Sequence, residues 1–391
     1  MFDTIAYFKN KSTLLLGFDS IFRFSQKTGF SELDQYTENN KGSYIVTAIS
    51  YDLKNHIEAL ESRHFDPHFF PELICWTPSY VIRLSESGEL LFEKGVLSPE
   101  VFDFATSWFF PSKNEDVKLQ FIPDINKFDY IGRVLKIQHE IQRGNCYELN
   151  FCQNFTAKDI DLIESPSFFN DLYAHTESPQ SVYIQVDGVE VFCMSPERFI
   201  QRKDSLLISQ PIKGTIRRGE SKEEDAFLRD KLLNDPKEIS ENIMIVDLVR
   251  NDLAKIAEKK SVRVDELCVL NTFKTLHHLI STVSCEIDED KTVAELLKAL
   301  FPMGSMTGAP KVSVMKLIDS FESFKRGIFS GSIGLIEPNG DFDFNVVIRT
   351  IVYTKASKIM TCSVGSAITI ASNPEKEYEE CFVKLNRLIS F

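Results

Sequence analysis

The order of the predicted secondary-structure elements constrains the fold of this 391-residue chain more than any other feature. Residues 129–143 have the apolar spacing of a helix and end at a glycine, whereas residues 147–155 and 181–194 are typical of strands. Asp235, followed by a proline and by a glutamate at position 238, indicates the start of another helix. Because long strands and long helices follow one another irregularly, the sequence predicts an α+β layered fold rather than a regular βαβ repeat. Further helices are predicted over 293–301, 310–321 and 374–390, and further strands over 206–214, 331–336 and 346–353.

The first third of the chain alternates short apolar runs with polar turns, a pattern typical of strands joined by loops. The segment 111–116 is the most linker-like stretch, because it combines proline, serine, asparagine and two acidic residues. We therefore predict a β-rich N-terminal subdomain over 1–115 and a second domain over 121–391. No residue cluster in the first of these indicates chemistry.

The composition excludes several classes of protein. Apolar residues make up 43% of the chain and include 32 phenylalanines, which excludes a disordered protein. Lys and Arg number 44 against 57 Asp and Glu, and the formal net charge of −13 argues against binding to nucleic acid or to an anionic membrane. A small anionic substrate stays compatible with this charge, since it needs only a local basic pocket.

The eight cysteines are scattered and include no Cys-x-x-Cys pair, so we predict reduced thiols in a cytoplasmic protein. The first 20 residues lack the basic start and the long apolar stretch of a signal peptide. No segment approaches the ~18 continuous apolar residues of a membrane span. The sequence therefore predicts a soluble chain.

Two pairs of glutamates with i, i+3 spacing are the clearest chemical signal: Glu238 with Glu241, and Glu377 with Glu380. This spacing places both carboxylates of a pair on one face of a helix. If the two faces meet, they form an oxygen-rich site suited to Mg²⁺, which prefers carboxylates and retains waters for a substrate. The alternative is that these glutamates are solvated, because the helix dipole favours glutamate near a helix start.

Two basic residues lie in apolar surroundings. Lys213 follows an apolar strand and precedes a glycine, and burial would lower the pKa of its amine and let it act as a nucleophile or base. The alternatives are a surface lysine in a turn, or part of a basic patch with Arg217 and Arg218. Arg349 lies within the predicted strand 346–353 and therefore needs an anionic partner, which is either a protein carboxylate or a ligand.

Residues 304–311, with the sequence GSMTGAPK, form a glycine-rich segment at the start of the predicted helix 310–321. The segment lacks the Gly-Lys-Ser/Thr ending of a P-loop, which excludes that kind of nucleotide site. Backbone N–H groups at such a helix start are still able to hold a carboxylate or a phosphate. No Gly-x-Ser-x-Gly or Gly-x-Gly-x-x-Gly motif occurs, which excludes the hydrolase elbow and the dinucleotide fingerprint. From the residues alone we expect an Mg²⁺-dependent enzyme that acts on a small carboxylate.

Eight ordered segments resemble motifs of the chorismate-utilising enzyme family, most closely those of its aminodeoxychorismate synthase branch. They are 144–150 (GNCYELN), 195–199 (SPERF), 211–215 (PIKGT), 241–252 (ENIMIVDLVRND), 278–281 (HLIS), 302–311 (PMGSMTGAPK), 348–350 (IRT) and 377–380 (EYEE). The resemblance covers about residues 121–391 and implies that they form a chorismate-binding catalytic domain. It also implies a large layered β-sheet sandwich with helices packed outside, similar to that of anthranilate synthase component I.

The resemblance implies how the two carboxylates of chorismate are held. Family members bind Mg²⁺ between residues matching Glu241 and Glu380, supported by those matching Glu238 and Glu377. The ion in turn binds the ring carboxylate of chorismate, and a residue matching Arg349 binds the second carboxylate. Further family positions that bind substrate, either through a side chain or through the backbone, fall at Gly214, Thr307, Phe329, Gly365, Ser366, Ala367 and Lys384.

The resemblance also implies the chemical steps. In aminodeoxychorismate synthases a lysine matching Lys213 is proposed to attack ring C2, which expels the C4 hydroxyl, and ammonia then adds at C4 and displaces the lysine. Glu197 matches the general acid that protonates the departing hydroxyl, and His278 falls at a position that orients groups or handles protons. Anthranilate synthases typically carry alanine in place of this lysine, so Lys213 favours amination at C4, with anthranilate synthase component I as the alternative.

The implied product is 4-amino-4-deoxychorismate, on the route to 4-aminobenzoate and folate. No amidotransferase signature is apparent in the chain, so the resemblance implies a separate glutamine amidotransferase subunit that supplies ammonia. Three features depart from the family pattern. Glu148 stands where aminating members commonly have glutamine and isochorismate synthases a general-base lysine, and Ser366 and Ala367 add side chains to a glycine-rich loop. Phe329 stands where several relatives have tyrosine, which removes a hydroxyl contact. These departures leave a non-catalytic chorismate-binding relative as a further alternative.

Overall fold

The computed structural model describes residues 2–25, 29–112, 119–162, 164–274 and 276–389. Within these ranges the chain forms ten α-helices and two large antiparallel sheets. The helices are Phe30–Asn39 (α1), Lys54–Ile57 (α2), Pro99–Phe109 (α3), Lys127–Gln142 (α4), Ser165–Thr176 (α5), Lys222–Leu233 (α6), Pro236–Leu253 (α7), Val293–Leu300 (α8), Lys311–Phe321 (α9) and Pro374–Ile389 (α10). The strands are Ile5–Phe8 (β1), Thr13–Leu16 (β2), Ser20–Arg23 (β3), Ile45–Ile49 (β4), Leu73–Thr77 (β5), Tyr80–Leu84 (β6), Leu90–Lys94 (β7), Ile122–Pro123 (β8), Glu148–Ala157 (β9), Gln180–Val186 (β10), Val189–Ser195 (β11), Arg198–Lys203 (β12), Leu206–Gln210 (β13), Ile212–Arg217 (β14), Arg263–Thr272 (β15), Leu276–Glu286 (β16), Gly308–Ala309 (β17), Ser332–Ile336 (β18), Phe342–Asn345 (β19), Thr350–Thr354 (β20) and Ile359–Ile368 (β21).

The two sheets pack face to face. The first has the strand order β17-β9-β21-β20-β11-β10-β1-β2-β6-β7, with β8 beside β9, and the second has the order β14-β16-β13-β12-β19-β18-β4-β5-β3, with β15 beside β16. Alternate side chains of both sheets, such as Ala6, Val46 and Ile333, meet in an apolar core between them.

Helices cover the outer faces of the two sheets. On the other face of the first sheet, side chains such as Tyr7 of β1 point away from the second sheet. They pack under α3, α4, α5, α9 and α10. Helices α1, α7 and α8 pack on the outer face of the second sheet. Each large apolar side chain buried in these layers contributes about 1.5–3 kcal/mol to stability. The predicted α+β sandwich with helices packed outside is confirmed.

Strands from the first 115 residues belong to both sheets. In the first sheet β1 pairs with β10, and in the second β4 pairs with β18. The N-terminal strands therefore continue sheets that the later part of the chain also builds. The predicted linker 111–116 lies mostly outside the described residues, and the boundary between 1–115 and 121–391 stays a prediction.

Most predicted helices and strands are present, and three strands differ from their predicted bounds. Residues 181–194 form a hairpin of β10 and β11, because Asp187 and Gly188 have φ angles of 53° and 74° and make a two-residue turn. Residues 206–214 are divided at Pro211 into β13 and β14. The strand predicted over 346–353 begins only at Thr350. Residue 390, the predicted end of the last helix, lies outside the described residues.

The chain crosses between the two sheets at two neighbouring places. Residues 196–197 join β11 of the first sheet to β12 of the second, and residues 346–349 join β19 of the second to β20 of the first. The two crossings are hydrogen bonded, since Val346 N donates to the carbonyl oxygen of Glu197 at 3.0 Å and Met194 N donates to that of Arg349 at 3.0 Å. Two candidate functional residues therefore lie side by side where the sheets are joined.

Among the helices of the described ranges, none is both long enough and apolar enough to cross a bilayer. All eight cysteines are free, and only Cys268 is not fully buried. Burial raises the pKa of Cys75 to about 12, so this thiol stays protonated.

Candidate active site

One cavity of about 510 Å³ brings together most of the side chains that the sequence singles out. A cavity of this size suits a small-molecule ligand. Its walls come from β14, β16, β21, α7, α10 and both crossings between the sheets. The predicted residues that line it are Glu197, Lys213, Gly214, Glu238, Glu241, His278, Phe329, Arg349, Gly365, Ala367, Glu377, Glu380 and Lys384.

Two predicted substrate-binding residues do not present their side chains to this cavity. The hydroxyl of Thr307 is fully buried and donates to the carbonyl oxygens of Met303 at 3.1 Å and Gly304 at 3.2 Å. Thr307 therefore braces its own loop rather than contacting a ligand. Ser366 lies on β21 between two residues that line the cavity, so its side chain points to the opposite face of the strand and only its backbone is left for the predicted contact.

The local backbone aims Lys213 into the cavity. Lys213 is the second residue of β14, and the pairing of β14 with β16 slips between Ile212 and Thr215, which marks a bulge. Gly214 within this bulge has a φ of 90°, a conformation that favours glycine. From α7, the buried Asn242 donates through Nδ2 to the carbonyl oxygen of Lys213 at 3.1 Å. The role of Asn242 was not predicted, because it depends on contacts between distant parts of the chain.

The amine of Lys213 is paired with a carboxylate. Its Nζ donates to Oε1 of Glu148 at 3.1 Å, and the two side chains are 13% and 1% exposed. Burial acts to lower the pKa of Lys213. Three facing carboxylates, Glu148, Glu241 and Glu197, act in the opposite direction, and the pKa of the amine lies above its ordinary value. The predicted lowering of this pKa is therefore wrong, and Lys213 is an ammonium ion in this structure.

Glu197 lies on the crossing between β11 and β12 and is 4% exposed. Its backbone N–H donates to Oγ of Ser195 at 3.1 Å, which helps to hold the crossing in place. Burial raises the pKa of Glu197 to about 7, although the Ser305 hydroxyl and the Lys213 ammonium act to lower it. A carboxyl group whose pKa lies this close to neutral is able both to hold a proton and to release it, which suits a general acid.

His278 faces the cavity from β16 and is almost fully buried. Its Nδ1 lies 2.9 Å from Oγ1 of Thr215. Burial, together with repulsion from Arg349 and Arg387, lowers the pKa of His278 to about 3. The ring is therefore neutral at physiological pH and orients its neighbours by hydrogen bonding. The neighbouring His277 lies on the opposite face of β16, where its Nε2 is 2.9 Å from Oδ1 of Asp225, so it does not line the cavity.

The four glutamates of the two predicted pairs meet in this cavity. Glu238 and Glu241 extend from α7, and Glu377 and Glu380 extend from α10. Burial raises the pKa of the first three, and repulsion between the carboxylates of each pair adds to this effect for Glu238 and Glu377. Burial also acts to raise the pKa of Glu380, but the adjacent Lys384 outweighs it and holds the pKa below its ordinary value.

This donor set fits a divalent cation in its chemistry. The carboxylates repel one another, and Oε1 of Glu241 is buried with no hydrogen-bond partner among the described residues, although Lys237 Nζ lies 3.6 Å from it. Mg²⁺ would relieve both costs, since it prefers carboxylate oxygens and is usually bound through one or two of them plus waters. In the part of the chain that the structure describes, no three potential ligands already converge on one point. The four glutamates therefore supply oxygen ligands of the type that Mg²⁺ prefers. Some of their side chains would have to rotate before they could bind one ion together.

A second part of the cavity is basic. Arg349 is not inside a strand as predicted, because its φ of 51° ends the extended backbone of the crossing. Neither Arg349 nor Arg387 of α10 has a carboxylate within ion-pair distance among the described residues. Burial, followed by repulsion from Arg387, lowers the pKa of Arg349 to about 10, so its guanidinium stays charged at neutral pH. No carboxylate in these ranges pairs with Arg349, and an anionic ligand stays the predicted partner.

One helix connects the acidic and the basic parts. Glu377, Glu380, Lys384 and Arg387 of α10 all line the cavity. Their spacing of i, i+3, i+7 and i+10 places them on one face, over a length of about 15 Å. Arg387 was not predicted from the sequence, although this helical spacing of charged residues was the signal that could have identified it. The acidic residues lie toward the helix N-terminus and the basic residues toward its C-terminus, as the helix dipole favours.

Lys384 and Gly365 form one wall of the cavity. Lys384 Nζ donates to the carbonyl oxygen of Gly365 at 2.7 Å and pairs with Glu380 at 2.6 Å, so this predicted binding residue is already engaged. A side chain at Gly365 would place its Cβ 2.5 Å from Oδ1 of Asn150. β20 pairs with β21 only up to residue 362, so one edge of 363–368 lacks a strand partner within the described ranges. Backbone N–H groups along that edge are available to an anion.

Comparison with protein families decides the ancestry of the chain. The family model described as chorismate binding enzyme matches residues 3–390. The chain belongs to the chorismate-binding enzyme family. The match includes residues 3–120, to which the resemblance of individual motifs does not extend.

Curated relatives of the chain include proteins named as aminodeoxychorismate synthases and proteins named as anthranilate synthases. Aminodeoxychorismate synthase component 1 of Klebsiella aerogenes is 40% identical over 266 residues, which are 68% of this chain and 58% of the relative. The protein of the same name from Escherichia coli (strain K12) is 35% identical over 72% of this chain and 61% of its own length. Anthranilate synthase component 1 of Acetivibrio thermocellus is 34% identical over 71% of this chain and 55% of its own length. The matched region thus spans less than two thirds of each relative.

Solved structures of the family share the fold. Anthranilate synthase component I from Streptococcus pneumoniae superposes with a TM-score of 0.79 at 24% identity, covering 98% of this chain and 89% of the other. The menaquinone-specific isochorismate synthase of Escherichia coli superposes with a TM-score of 0.76 at 16% identity, covering 98% and 87%. At these identities the likeness shows the sandwich architecture alone.

Proposed function

We propose that this chain aminates chorismate at C4 with ammonia and so produces 4-amino-4-deoxychorismate, as an aminodeoxychorismate synthase component 1. The observation that carries the proposal is Lys213, whose amine enters a cavity that also holds Glu197, the four glutamates and the unpaired Arg349. The names of relatives at 35–40% identity support it. The product would feed the synthesis of 4-aminobenzoate and folate.

Chorismate carries two carboxylates, and the cavity has a distinct partner for each. Arg349 is charged and lacks a protein carboxylate, so it would bind the enolpyruvyl carboxylate together with backbone N–H groups of 365–367. Glu241 and Glu380, with Glu238 and Glu377 beside them, would hold Mg²⁺. When bound, the ion supplies the positive charge that the ring carboxylate needs in this acidic part of the cavity.

The chain's own residues would carry the bond-breaking steps. Lys213 Nζ forms a bond to C2, the ring double bonds shift, and the C4–O bond breaks. Glu197 gives its proton to the departing oxygen, which leaves as water. Ammonia then bonds to C4 and the bond between C2 and Lys213 breaks. The neutral His278 orients Thr215 beside the lysine through the 2.9 Å hydrogen bond.

A separate subunit would supply the ammonia. The relatives are named component 1, which supports a second component, and the predicted partner is a glutamine amidotransferase. The eight free cysteines support the predicted cytoplasmic location.

The proposal is tested with the purified chain, chorismate, Mg²⁺ and an ammonium salt. We expect chromatography with mass detection to show 4-amino-4-deoxychorismate, which an added lyase converts to 4-aminobenzoate. Omitting Mg²⁺ is expected to abolish product, and so is Lys213→Ala, whereas unchanged turnover by that variant would remove Lys213 from the mechanism.

Two other outcomes would overturn the proposal. Fluorescent anthranilate as the product would assign the chain to the anthranilate synthases. Calorimetric binding of chorismate without turnover would identify a non-catalytic relative.

A further inference from the structure

Glu148 is held rigidly at the start of β9. β17 pairs with this end of the strand, and Tyr147 N donates to the carbonyl oxygen of Ala309 at 2.8 Å. The two backbones approach so closely that a Cβ on Gly308 would lie 2.1 Å from the carbonyl oxygen of Glu148. These contacts fix the backbone at Glu148, and its carboxyl group is then placed by the contact with Lys213 Nζ at 3.1 Å.

The carboxylate of Glu148 is costly to bury. Its Oε1 accepts the hydrogen bond from Lys213, but its Oε2 is buried with no partner in the part of the chain that the structure describes. A buried ion pair with an unsatisfied oxygen contributes little to stability. A glutamine would accept the same hydrogen bond but would leave the buried ammonium of Lys213 without its paired charge. The carboxylate therefore both pairs with the ammonium and offers it a proton acceptor, which a glutamine does not.

Lys213 has a proton that it must lose before it bonds to carbon. Four charged groups face its Nζ: Glu148 from β9, Glu197 from the crossing, Glu241 from α7 and Glu380 from α10. Within the described residues, only Glu148 lies within hydrogen-bond distance of this nitrogen. The 3.1 Å contact is within the range over which a proton passes between positioned groups.

We propose that Glu148 is a positioning residue for Lys213. The carboxylate of Glu148 holds Nζ of Lys213 toward the cavity and accepts the proton of Nζ as the lysine attacks. The N–H bond at Nζ breaks, an O–H bond forms at Oε1, and the freed electron pair forms the bond to C2 of chorismate. When ammonia displaces the lysine, the proton returns from Oε1 to Nζ. This inference rests on the proposed function and adds an internal proton acceptor to it.

The test measures formation of the covalent adduct without ammonia. Protein, Mg²⁺ and chorismate are mixed, quenched at successive times and analysed by intact-protein mass, where the adduct adds chorismate less one water. Glu148→Gln keeps the size of the side chain and an acceptor oxygen but cannot take the proton. We expect this variant to form the adduct about 10²-fold more slowly near pH 7.

The pH dependence separates proton transfer from a structural effect. In the wild type the proton passes within the ion pair, so Glu148 adds no pH dependence of its own. In Glu148→Gln the proton must go to solvent, so the ratio of variant to wild-type rates is expected to rise about tenfold per pH unit below the lysine pKa. The ratio is used because titration of Glu197 affects both proteins equally.

Glu190→Gln is the matched control, because Glu190 is a buried carboxyl bonded to Tyr183 at the far end of β11 from Glu197. It is expected to match the wild type at every pH. If Glu148→Gln forms both adduct and aminated product at wild-type rates, the inference is overturned and the proposed function stands. If the wild type forms neither, the proposed function fails and the inference fails with it.

A measurement on the wild type alone covers the case in which Glu148→Gln does not fold. If its adduct rate rises tenfold per unit up to about pH 7 and then levels off as Glu197 loses its proton, solvent takes the lysine proton and the inference is wrong. A rate that is constant below about pH 7 and falls above it supports the inference.

Discussion

Lys213 and Glu197 show that neighbouring charges, rather than burial alone, decide the protonation of this site. Both side chains are largely buried, and burial favours the neutral form of each. Lys213 faces several carboxylates and stays charged, whereas Glu197 faces a single ammonium that does not offset burial. The site therefore contains a protonated amine next to a carboxyl group that is ready to release a proton.

The first residue-scale prediction concerns the pH dependence of Glu197. Its pKa is raised to about 7, so the protonated, acid-competent form predominates below that pH and is lost as the pH rises through it. The adduct rate of the wild type is therefore expected to fall about tenfold per unit above pH 7. Single-turnover measurements without ammonia avoid the titration of ammonium itself.

Substitution identifies the group that titrates. Glu197→Gln is expected to form the adduct ~10²–10⁴-fold more slowly and to lose this pH dependence. The control Glu190→Gln should retain it. If Glu197→Gln keeps the pH dependence of the wild type, Glu197 is not the general acid.

At the scale of elements, α10 determines how charge is arranged in the cavity. Its residues Glu377 and Glu380 lie beside the two glutamates of α7, whereas Arg387 lies beside Arg349. A substrate with two separate carboxylates matches this arrangement, with one anion at the basic part and the other near the acidic part through a cation. A single amphipathic helix thus sets both ends of the binding site.

Arg387→Gln tests the role of this helix. Because Arg387 has no carboxylate partner in the described residues, its loss is expected to remove a contact with substrate rather than to destabilise the fold. We expect KM for chorismate to rise about tenfold, equivalent to ~1.4 kcal/mol, with kcat changed much less. Steady-state kinetics with ammonium measures both constants.

Arg250→Gln provides the control for charge, since Arg250 is exposed at the C-terminal end of α7 and pairs with Asp247. It is expected to leave both constants unchanged. An unchanged KM in Arg387→Gln would show that α10 binds substrate without this arginine.

At the scale of the whole molecule, one buried ion pair joins the N-terminal part of the chain to the base of the site. Arg326 pairs with Glu322 at 2.6 Å, donates to the carbonyl oxygens of Met306 at 2.7 Å and Asn150 at 2.9 Å, and lies 4.5 Å from the ring centre of Tyr51. Through these contacts Arg326 connects Tyr51, which follows β4 of the second sheet, with Asn150 in β9 of the first sheet. The site therefore depends on a connection that spans both sheets.

Arg326→Met tests that connection. The variant leaves the carboxylate of Glu322 buried without its partner, so the free energy of unfolding is expected to fall by about 3–5 kcal/mol in urea titrations. Adding Glu322→Leu should recover part of this loss, because the unpaired charge is then removed. Arg250→Gln, which breaks an exposed pair, is expected to cost less than about 1 kcal/mol. If Arg326→Met lowers the free energy of unfolding by no more than Arg250→Gln does, the role assigned to the buried pair of Arg326 and Glu322 is wrong.

Local chemistry allowed much of this protein to be predicted from its sequence. The start of α7 was predicted because Asp235 caps the helix and a proline follows it, and both effects involve only neighbouring residues. The faces of α7 and α10 were predicted because the spacing of their glutamates has the period of a helix. The family was predicted because eight short motifs occur in a fixed order, and the match over residues 3–390 confirms it.

Contacts between distant residues decided what the sequence alone left open. The sequence predicts continuous strands at the Asp187 hairpin and at the Arg349 crossing, because apolar runs do not reveal a left-handed residue that ends them. The raised pKa of Lys213 depends on carboxylates from three other elements, which only the packing of β9, α7 and the crossing brings within range. Sequence sets the properties of each element, and the electrostatic energy of the site depends on distances that exist only once those elements are packed together.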